Sequence, residues 1–283
     1  MVVRSIAVIG AGQMGAGIAQ VAAQTGLEVY IVDPLAGAQQ RAQMGIEKSL
    51  TKLAEKKLIN ESPADILKRL HFLPTVAELK NVLPDVTVEA ITENFDAKAR
   101  LFQELDALLP PASILASNTS SISITRLASA TRRPSKVIGM HFMNPVPVMK
   151  LVEIIRGLAT DDATYETIKT LSEKMGKTTV LSKDMPGFIV NRILMPMINE
   201  AVFALNEGLA SVEDIDVAMK LGTNQPMGPL QLADFIGLDT CLYIMEVLHD
   251  GLGDSKYRPA PLLRQYVQAG WLGKKTSRGF YTY

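Results

Sequence analysis

Short apolar runs alternate with helix-like segments through the first two thirds of the chain. The apolar runs are rich in Val and Ile and are bounded by Gly, Pro, Asn or Asp, which is the pattern of strands buried on both faces. They lie at residues 5–10, 28–33, 86–91, 113–118, 137–142 and 178–182. Segments with helical spacing separate them, as at residues 12–26, 97–109 and 162–176. This alternation predicts an α/β domain with a doubly wound, mostly parallel sheet.

The segment between Pro34 and Leu70 is too long to be a single crossover helix. Residues 38–59 carry apolar side chains at helical spacing together with several lysines. We predict that this segment is a helical hairpin that projects from the sheet. For most of its residues a charged helix pair facing solvent is a sufficient interpretation.

Strand patterns disappear after about residue 184, and long helical patterns take their place. The first of these, within residues 188–208, is apolar on nearly every side, so it needs burial on most of its surface. A partner subunit would supply part of that burial. We therefore predict a first domain at residues 1–184, an all-α second domain at residues 185–283, and a homodimer.

The composition excludes several classes of protein. The 283 residues contain 29 basic and 29 acidic side chains, so no basic excess indicates nucleic acid or an anionic membrane as a partner. The single cysteine, Cys241, excludes an intrachain disulfide and a cysteine-based metal cluster, and we expect no metal. The glycine spacing of residues 1–24 argues against a signal peptide, and no apolar run of about 18 residues occurs elsewhere. A cytoplasmic protein without a membrane span is expected.

The sequence "IAVIGAGQMG" contains the motif G-x-G-x-x-G at Gly10, Gly12 and Gly15. A strand pattern precedes the motif and a helical pattern follows it, which is the context of a dinucleotide-binding loop in a Rossmann-like domain. Asp33 ends the next strand, where an acid binds the ribose hydroxyls and repels a 2′-phosphate, so NAD is favoured over NADP. The alternative is a glycine-rich turn followed by an ordinary strand-end aspartate.

Polar side chains follow the next three strand patterns, at "ITENFDAK", "ASNTSSIS" and "GMHFMNPVP". Ligands bind beyond the carboxyl ends of parallel strands, so these clusters mark the expected site. The hydroxyl-rich cluster also has a simpler interpretation, because Ser121 or Ser123 would serve as a helix N-cap.

His141 and Glu153 are the candidate acid–base pair. Histidine titrates near neutral pH, which suits proton transfer from an alcohol. The two prolines of "NPVPVM" favour a turn that returns Glu153 to the strand of His141. A glutamate among Leu, Val and Ile is costly to bury without a partner. The simpler alternatives are a structural histidine and a glutamate that faces water.

These motifs resemble those of the NAD-dependent (S)-3-hydroxyacyl-CoA dehydrogenases, especially the short-chain 3-hydroxybutyryl-CoA members of that family. The resemblance covers nearly the whole chain and includes "GAGQMGAGIAQ", "SNTSSISIT", "GMHFMNPVPVMKLVEII", "DMPGFIVNRIL" and "GKKTSRGFYTY". It implies a Rossmann-like domain with a helical projection, followed by a helical domain that mediates dimerisation. It also implies NAD-dependent oxidation of (S)-3-hydroxybutyryl-CoA to acetoacetyl-CoA and the reverse reduction.

The resemblance further implies roles for individual residues. His141 would be the general base and Glu153 the carboxylate that orients it, while Ser120 and Asn191 would hold the reacting oxygen. The implied cofactor contacts are Gly10, Ala11, Gly12, Gln13, Met14, Gly15, Asp33, Glu93, Lys98, Ser120, Asn144 and Lys275. The implied acyl-CoA contacts are Ser49, Lys52, Lys56, Ser120, Asn144 and Asn191.

Two other functions fit the same motifs. A dehydrogenase of a related hydroxy acid or sugar acid would use the same chemistry on this scaffold, but it would not need the lysine-rich hairpin. A non-catalytic protein that kept the fold and bound NAD is the second, as in some lens crystallins that resemble this family. The intact set of predicted catalytic residues argues against that second alternative.

Overall fold

A sheet of eight strands organises the first part of the chain in the computed structural model, which describes residues 2–283. The order in the sheet is β3-β2-β1-β4-β5-β6-β7-β8. All neighbours are parallel except β6 and β7, which are antiparallel. The strands are β1 (Ser5–Ile9), β2 (Glu28–Val32), β3 (Leu70–Leu73), β4 (Val86–Glu89), β5 (Ile114–Ser117), β6 (Val137–Phe142), β7 (Leu151–Arg156) and β8 (Thr178–Lys183). The predicted mostly parallel α/β fold is confirmed.

Helices connect these strands, and the chain reverses its direction across the sheet between β1 and β4. Right-handed crossovers on either side of such a reversal place helices on both faces and open a crevice at the strand ends. The helices are α1 (Gln13–Ala23), α2 (Ala36–Glu55), α3 (Pro63–Leu67), α4 (Phe95–Leu108), α5 (Ile124–Ala128) and α6 (Asp162–Lys174). Short 3₁₀ helices lie at Val76–Asn81 and Pro134–Lys136.

The structure corrects the predicted elements at two places, β3 and the hairpin, and confirms the predicted return of the chain beside β6. Strand β3 was not predicted, because it is a four-residue edge strand whose side chains are mostly half-buried. Strand β7 is a full antiparallel partner of β6, since the short connection between them leaves no room for a crossover helix. The predicted hairpin is uneven: α2 has 20 residues, whereas α3, which contacts it, has five.

The chain divides into a unit that ends at Met185 and a second unit, Pro186–Tyr283. The second unit is helical and has its own core around residues such as Ile198, Val202 and Leu230. Its helices are α7 (Val190–Asn206), α8 (Val212–Thr223), α9 (Pro229–Ile236), α10 (Leu238–Leu252) and α11 (Pro261–Gln268), with 3₁₀ helices at Ser255–Tyr257 and Lys274–Thr276.

Two properties of residues 2–283 bear on function. No helix in this range combines the length and apolar character needed to cross a bilayer. Within the same range, no group of three or more His, Cys, Asp or Glu side chains is arranged to hold a metal ion.

Candidate active site

The loop between β1 and α1 can accept a dinucleotide only because of its glycines. Gly10 has φ +106°, and a Cβ there would lie 2.6 Å from the carbonyl oxygen of Ala90. A Cβ at Gly15 would lie 1.8 Å from the Gly10 oxygen, so no larger residue fits. A Cβ at Gly12, in contrast, would meet nothing within 4 Å, which leaves open space before the N-terminus of α1. These residues fit a pyrophosphate, because the first amides of a helix attract anions.

Asp33 lies directly after β2 and is hydrogen-bonded to the glycine loop. Its Oδ2 accepts a hydrogen bond from the Ala11 amide at 2.9 Å, and its Oδ1 accepts one from the Leu35 amide at 2.9 Å. A carboxylate has acceptor sites for about four hydrogen bonds, so these two leave capacity for ribose hydroxyls. The position and charge of Asp33 therefore fit NAD.

His141 and Glu153 face each other across the antiparallel strands β6 and β7, where they are direct partners in the register. The His141 Nδ1 lies 2.7 Å from the Glu153 Oε2, so the predicted hydrogen-bonding distance is confirmed. Glu153 is fully buried, which excludes the alternative of a glutamate that faces water. A buried carboxylate that is hydrogen-bonded to Nδ1 favours the tautomer with its proton on Nδ1 and stabilises the imidazolium.

Ser120 lies in a turn after β5 that is built around the carboxylate of Glu93. The Oε1 atom accepts hydrogen bonds from the Ser120 amide at 3.0 Å, the Thr119 hydroxyl at 2.5 Å and the Ser121 hydroxyl at 2.8 Å. Burial alone would raise the pKa of Glu93, but Lys98 and the hydroxyls of Thr119 and Ser121 outweigh it and lower the pKa below its usual value. Glu93 therefore fixes the turn as an ionised group.

Lys98 is 1% exposed and links two carboxylates. Its Nζ lies 2.5 Å from the Glu89 Oε1 and 3.3 Å from the Glu93 Oε2. Glu89 also accepts a hydrogen bond from the Ser117 hydroxyl at 2.6 Å. Burial raises the pKa of the Glu89 carboxyl above its usual value, although Lys98 and Ser117 act in the opposite direction. Lys98, predicted to contact the cofactor, thus forms part of the support of the Ser120 turn.

Glu89 was not singled out from the sequence, although a signal for it exists. It ends the apolar strand β4 and is fully buried. The cost of burying an unpaired glutamate, which pointed to a partner for Glu153, applies equally to this position.

The hydroxyl-rich segment after β5 also contains a helix cap, as the simpler interpretation proposed. The Ser123 hydroxyl is the N-cap of α5 and accepts a hydrogen bond from the Arg126 amide at 3.1 Å. Ser121 does not serve as that cap and instead donates to Glu93. Asp184 holds the same helix start, because its carboxylate accepts hydrogen bonds from the Ser123 hydroxyl and the Thr125 amide.

Asn144 lies in the loop after β6 and faces the glycine loop. Its Oδ1 accepts a hydrogen bond from the Gln13 Nε2 at 3.0 Å. The buried Lys177 holds this loop through two carbonyl oxygens, those of Val146 at 2.5 Å and Met149 at 2.9 Å. Burial lowers the pKa of Lys177 below its usual value. Sequence reasoning missed Lys177, because nothing in its local pattern marks a lysine that binds a distant loop.

Ser49, Lys52 and Lys56 follow one face of α2 and its C-terminal cap, at helical spacing. Ser49 is half-buried and both lysines are exposed. The predicted acyl-CoA contacts are thus two accessible cations and a hydroxyl in one row, which suits a ligand with several phosphates.

Two predicted site residues belong to the second unit. Asn191 lies in the first turn of α7 and is buried. The Nζ of Lys275 lies 2.6 Å from each carboxylate oxygen of Asp239.

Both units match models of one enzyme family. The 3-hydroxyacyl-CoA dehydrogenase NAD binding domain matches residues 5–185. The 3-hydroxyacyl-CoA dehydrogenase C-terminal domain matches residues 187–283.

Similar proteins cover the full chain. A protein of Bacillus subtilis (strain 168), described as a probable 3-hydroxybutyryl-CoA dehydrogenase, is 56% identical over 100% of this chain and 98% of its own. The human mitochondrial hydroxyacyl-coenzyme A dehydrogenase is 45% identical over 100% of this chain and 92% of its own. The crystal structure of (S)-3-hydroxybutyryl-CoA dehydrogenase from Ralstonia eutropha has a TM-score of 0.96 and 50% identity, covering 100% of this chain and 99% of that one.

Proposed function

Because this chain belongs to the NAD-dependent 3-hydroxyacyl-CoA dehydrogenase family, we propose that its substrate pair is (S)-3-hydroxybutyryl-CoA and acetoacetyl-CoA. The buried hydrogen bond between His141 and Glu153, at the carboxyl end of the NAD-binding sheet, carries this proposal. The names of relatives such as the 56% identical Bacillus subtilis protein support the choice of a four-carbon acyl chain.

In the oxidative direction His141 takes the proton of the 3-hydroxyl group. Bound NAD supplies the acceptor for the hydride that leaves C3 of the substrate. Because Nδ1 is held by Glu153, proton exchange with the substrate goes through Nε2. The carboxylate of Glu153 stabilises the positive charge that the ring acquires, and in the reductive direction the same nitrogen returns the proton.

Ser120 and Asn191 hold the reacting oxygen in this proposal, and Asn144 lines the same substrate site. The network of Glu93 and Lys98 supports it, because the network holds the backbone and hydroxyl of Ser120 in one arrangement. Positioning of this kind is a large part of catalysis, since a reacting group that is already held in the right geometry loses less translational and rotational entropy in the reaction step.

The proposed cofactor contacts are the glycine loop, Asp33 and several further polar side chains. Gln13, Met14 and their neighbours in the loop bind the pyrophosphate, while Asp33 binds the adenosine ribose. Glu93, Lys98, Asn144 and Lys275 complete the set that we propose for NAD. The acyl-CoA phosphates bind Lys52 and Lys56, with Ser49 as a hydrogen-bonding neighbour.

We propose a homodimer whose interface includes the second unit. On α7 the side chain of Ile193 is 69% exposed, and on α9 that of Phe235 is 52% exposed. The second unit already has its own hydrophobic core, so these exposed apolar side chains are not part of it. Their exposure supports an interface in which a second copy of the chain covers them. Light scattering after gel filtration tests this point, and a monomer at micromolar concentration would contradict it.

A comparison of two substrates tests the proposed function. The protein should oxidise NADH with acetoacetyl-CoA and have little activity with free acetoacetate. Only acetoacetyl-CoA carries phosphates that can bind the lysines of α2. Structures that are 27% and 29% identical include a diketoreductase and a pyridine carboxylic acid dehydrogenase, so this scaffold serves other substrates. Turnover of the free acid alone would favour a hydroxy acid dehydrogenase instead.

A further inference from the structure

Glu89 ends β4, near the middle of the sheet, at the strand ends that carry the proposed site. On one side β4 pairs with β1, which leads into the glycine loop, and on the other with β5, which leads into the Ser120 turn. The Glu89 side chain is fully buried, so water screens its charge very little. Its charge can therefore act strongly on the groups that it contacts.

The first connection from Glu89 to the Ser120 turn, residues 119–122, runs through Ser117. The Ser117 hydroxyl donates a hydrogen bond to the Glu89 Oε2 at 2.6 Å. The same hydroxyl oxygen accepts a hydrogen bond from the Thr119 amide at 3.1 Å. Because a hydroxyl has a single hydrogen, the bond to Glu89 fixes its direction and leaves its lone pairs for that amide. Glu89 thus orients the residue that directly precedes Ser120.

The second connection runs through Lys98 and Glu93. The Lys98 Nζ lies 2.5 Å from the Glu89 Oε1 and 3.3 Å from the Glu93 Oε2, so the ammonium is closer to Glu89. The other oxygen of Glu93, Oε1, accepts hydrogen bonds from the amides of Ser120 at 3.0 Å and Ser121 at 3.1 Å. The two oxygens of Glu93 therefore hold different partners, one the lysine and one the turn.

The charge of Glu89 keeps these two roles of Glu93 apart. Lys98 is 1% exposed, and a buried ammonium is very costly without a carboxylate in close contact. If Glu89 were neutral, Glu93 would remain as the charged partner of Lys98, now at 3.3 Å. The ammonium and Glu93 would then move toward each other. That movement would draw the Glu93 Oε1 away from the amides of Ser120 and Ser121.

We propose that Glu89 is a positioning residue for Ser120, and that it acts through Lys98 and Ser117 without contacting the substrate. The proposal rests on the proposed function, in which the Ser120 hydroxyl holds the reacting oxygen. Glu89 retains Lys98 by its charge, and Glu93 is left to hold the amides of the turn. A displacement of about 1 Å in a reacting geometry lowers the rate by roughly 10²-fold, so a residue at this distance can still affect turnover strongly.

Glu89→Gln keeps the size of the side chain and an acceptor for Lys98, but it removes the charge. We expect kcat with saturating NAD and (S)-3-hydroxybutyryl-CoA to fall roughly 10- to 10²-fold. In a Ser120→Ala background the same change should lower kcat by less than about twofold, because the group that Glu89 positions is already absent. A purely structural role would give equal losses in both backgrounds. Asp106→Asn is the matched control, since Asp106 is a buried carboxylate paired with Arg133 outside the site, and it should keep the wild-type kcat.

Ser117→Ala tests the first connection by a smaller change, and it decides the question if Glu89→Gln does not fold. The loss of one hydrogen bond to the turn should lower kcat roughly fivefold, and this loss should also disappear in the Ser120→Ala background. Ser113→Ala is its control. Ser113 is buried just before the other end of β5 and donates a hydrogen bond to the Pro84 carbonyl at 3.0 Å, so its removal should leave kcat unchanged.

Amide hydrogen exchange, measured by mass spectrometry on overlapping peptides, makes the test independent of turnover. In Glu89→Gln the amides of residues 119–122 should exchange roughly tenfold faster, while those of β4 and β5 keep their wild-type rates. Wild-type protein that turns over no acyl-CoA would overturn the proposed function, and faster exchange confined to the turn would still support the role of Glu89. Folded variants whose kcat stays within about twofold of the wild type would overturn that role, as would losses that persist undiminished in the Ser120→Ala background.

Discussion

Replacing Glu153 with glutamine removes the negative charge beside His141 and keeps an oxygen that accepts a hydrogen bond. In the structure the Nδ1 and Oε2 atoms are 2.7 Å apart, and Glu153 is fully buried. The ring orientation should therefore survive the change. The stabilisation of the imidazolium that forms during turnover should not.

The size of the loss follows from the geometry. A hydrogen bond of 2.7 Å puts the centres of the imidazolium and carboxylate charges about 4 Å apart. At an effective dielectric constant of about 20 their attraction is about 4 kcal/mol. Because each 1.4 kcal/mol or so corresponds to a factor of ten in rate, Glu153→Gln should lower kcat roughly 10³-fold. KM values for both substrates should change little, since the lost interaction belongs to the transition state.

The assay is the initial rate of NAD reduction with saturating (S)-3-hydroxybutyryl-CoA, the direction in which His141 gains its charge, with a thermal unfolding curve to show that the variant is folded. Glu61→Gln is the matched control, because Glu61 forms an ion pair with Arg69 outside the site. The control should keep the wild-type kcat. A folded Glu153→Gln protein whose kcat lies within tenfold of wild type would refute the reasoning.

Two further predictions concern the cofactor site and its support. Asp33→Asn removes the charge that repels a 2′-phosphate and keeps an acceptor for only one of the Ala11 and Leu35 amides. The kcat/KM ratio of NADPH to NADH should rise by about tenfold, and an unchanged ratio would contradict the assignment. The pKa of Glu93 lies below its unfolded value, so its ionised form stabilises the fold above the unfolded pKa of about 4.5, and this contribution is lost as the pH falls through the lower, folded pKa. Urea unfolding from pH 6 to about pH 3 should show a shallower acid-side decline for Glu93→Gln than for the wild type, whereas parallel curves would exclude this role.

The sequence alone predicted the class of fold and the main pair of the site. Both rest on strong local physics. Hydrophobic patterns with a period of two or 3.6 residues indicate strands and helices. Because an unpaired buried glutamate is costly, Glu153 was expected to have a partner, and His141 was the candidate. The glycine motif is equally readable, because only glycine tolerates the conformation of Gly10 and the close approach at Gly15.

The rest depends on tertiary contacts that leave little trace in a local pattern. The role of Glu93 as the centre of a turn appears only once the amides of Ser120 and Ser121 point at it. The four residues of β3 lack a strong strand pattern because an edge strand is only half-buried. Lys177 binds carbonyl groups that lie about 30 residues away along the chain.

The most direct test of the account is the activity of His141→Gln. If His141 is the base, kcat with acetoacetyl-CoA and NADH should fall by roughly 10² to 10⁴, the usual contribution of general acid–base catalysis. The affinity for NADH, measured by fluorescence titration of the same sample, should stay at the wild-type value. A folded variant that binds NADH and turns over near the wild-type rate would contradict the account.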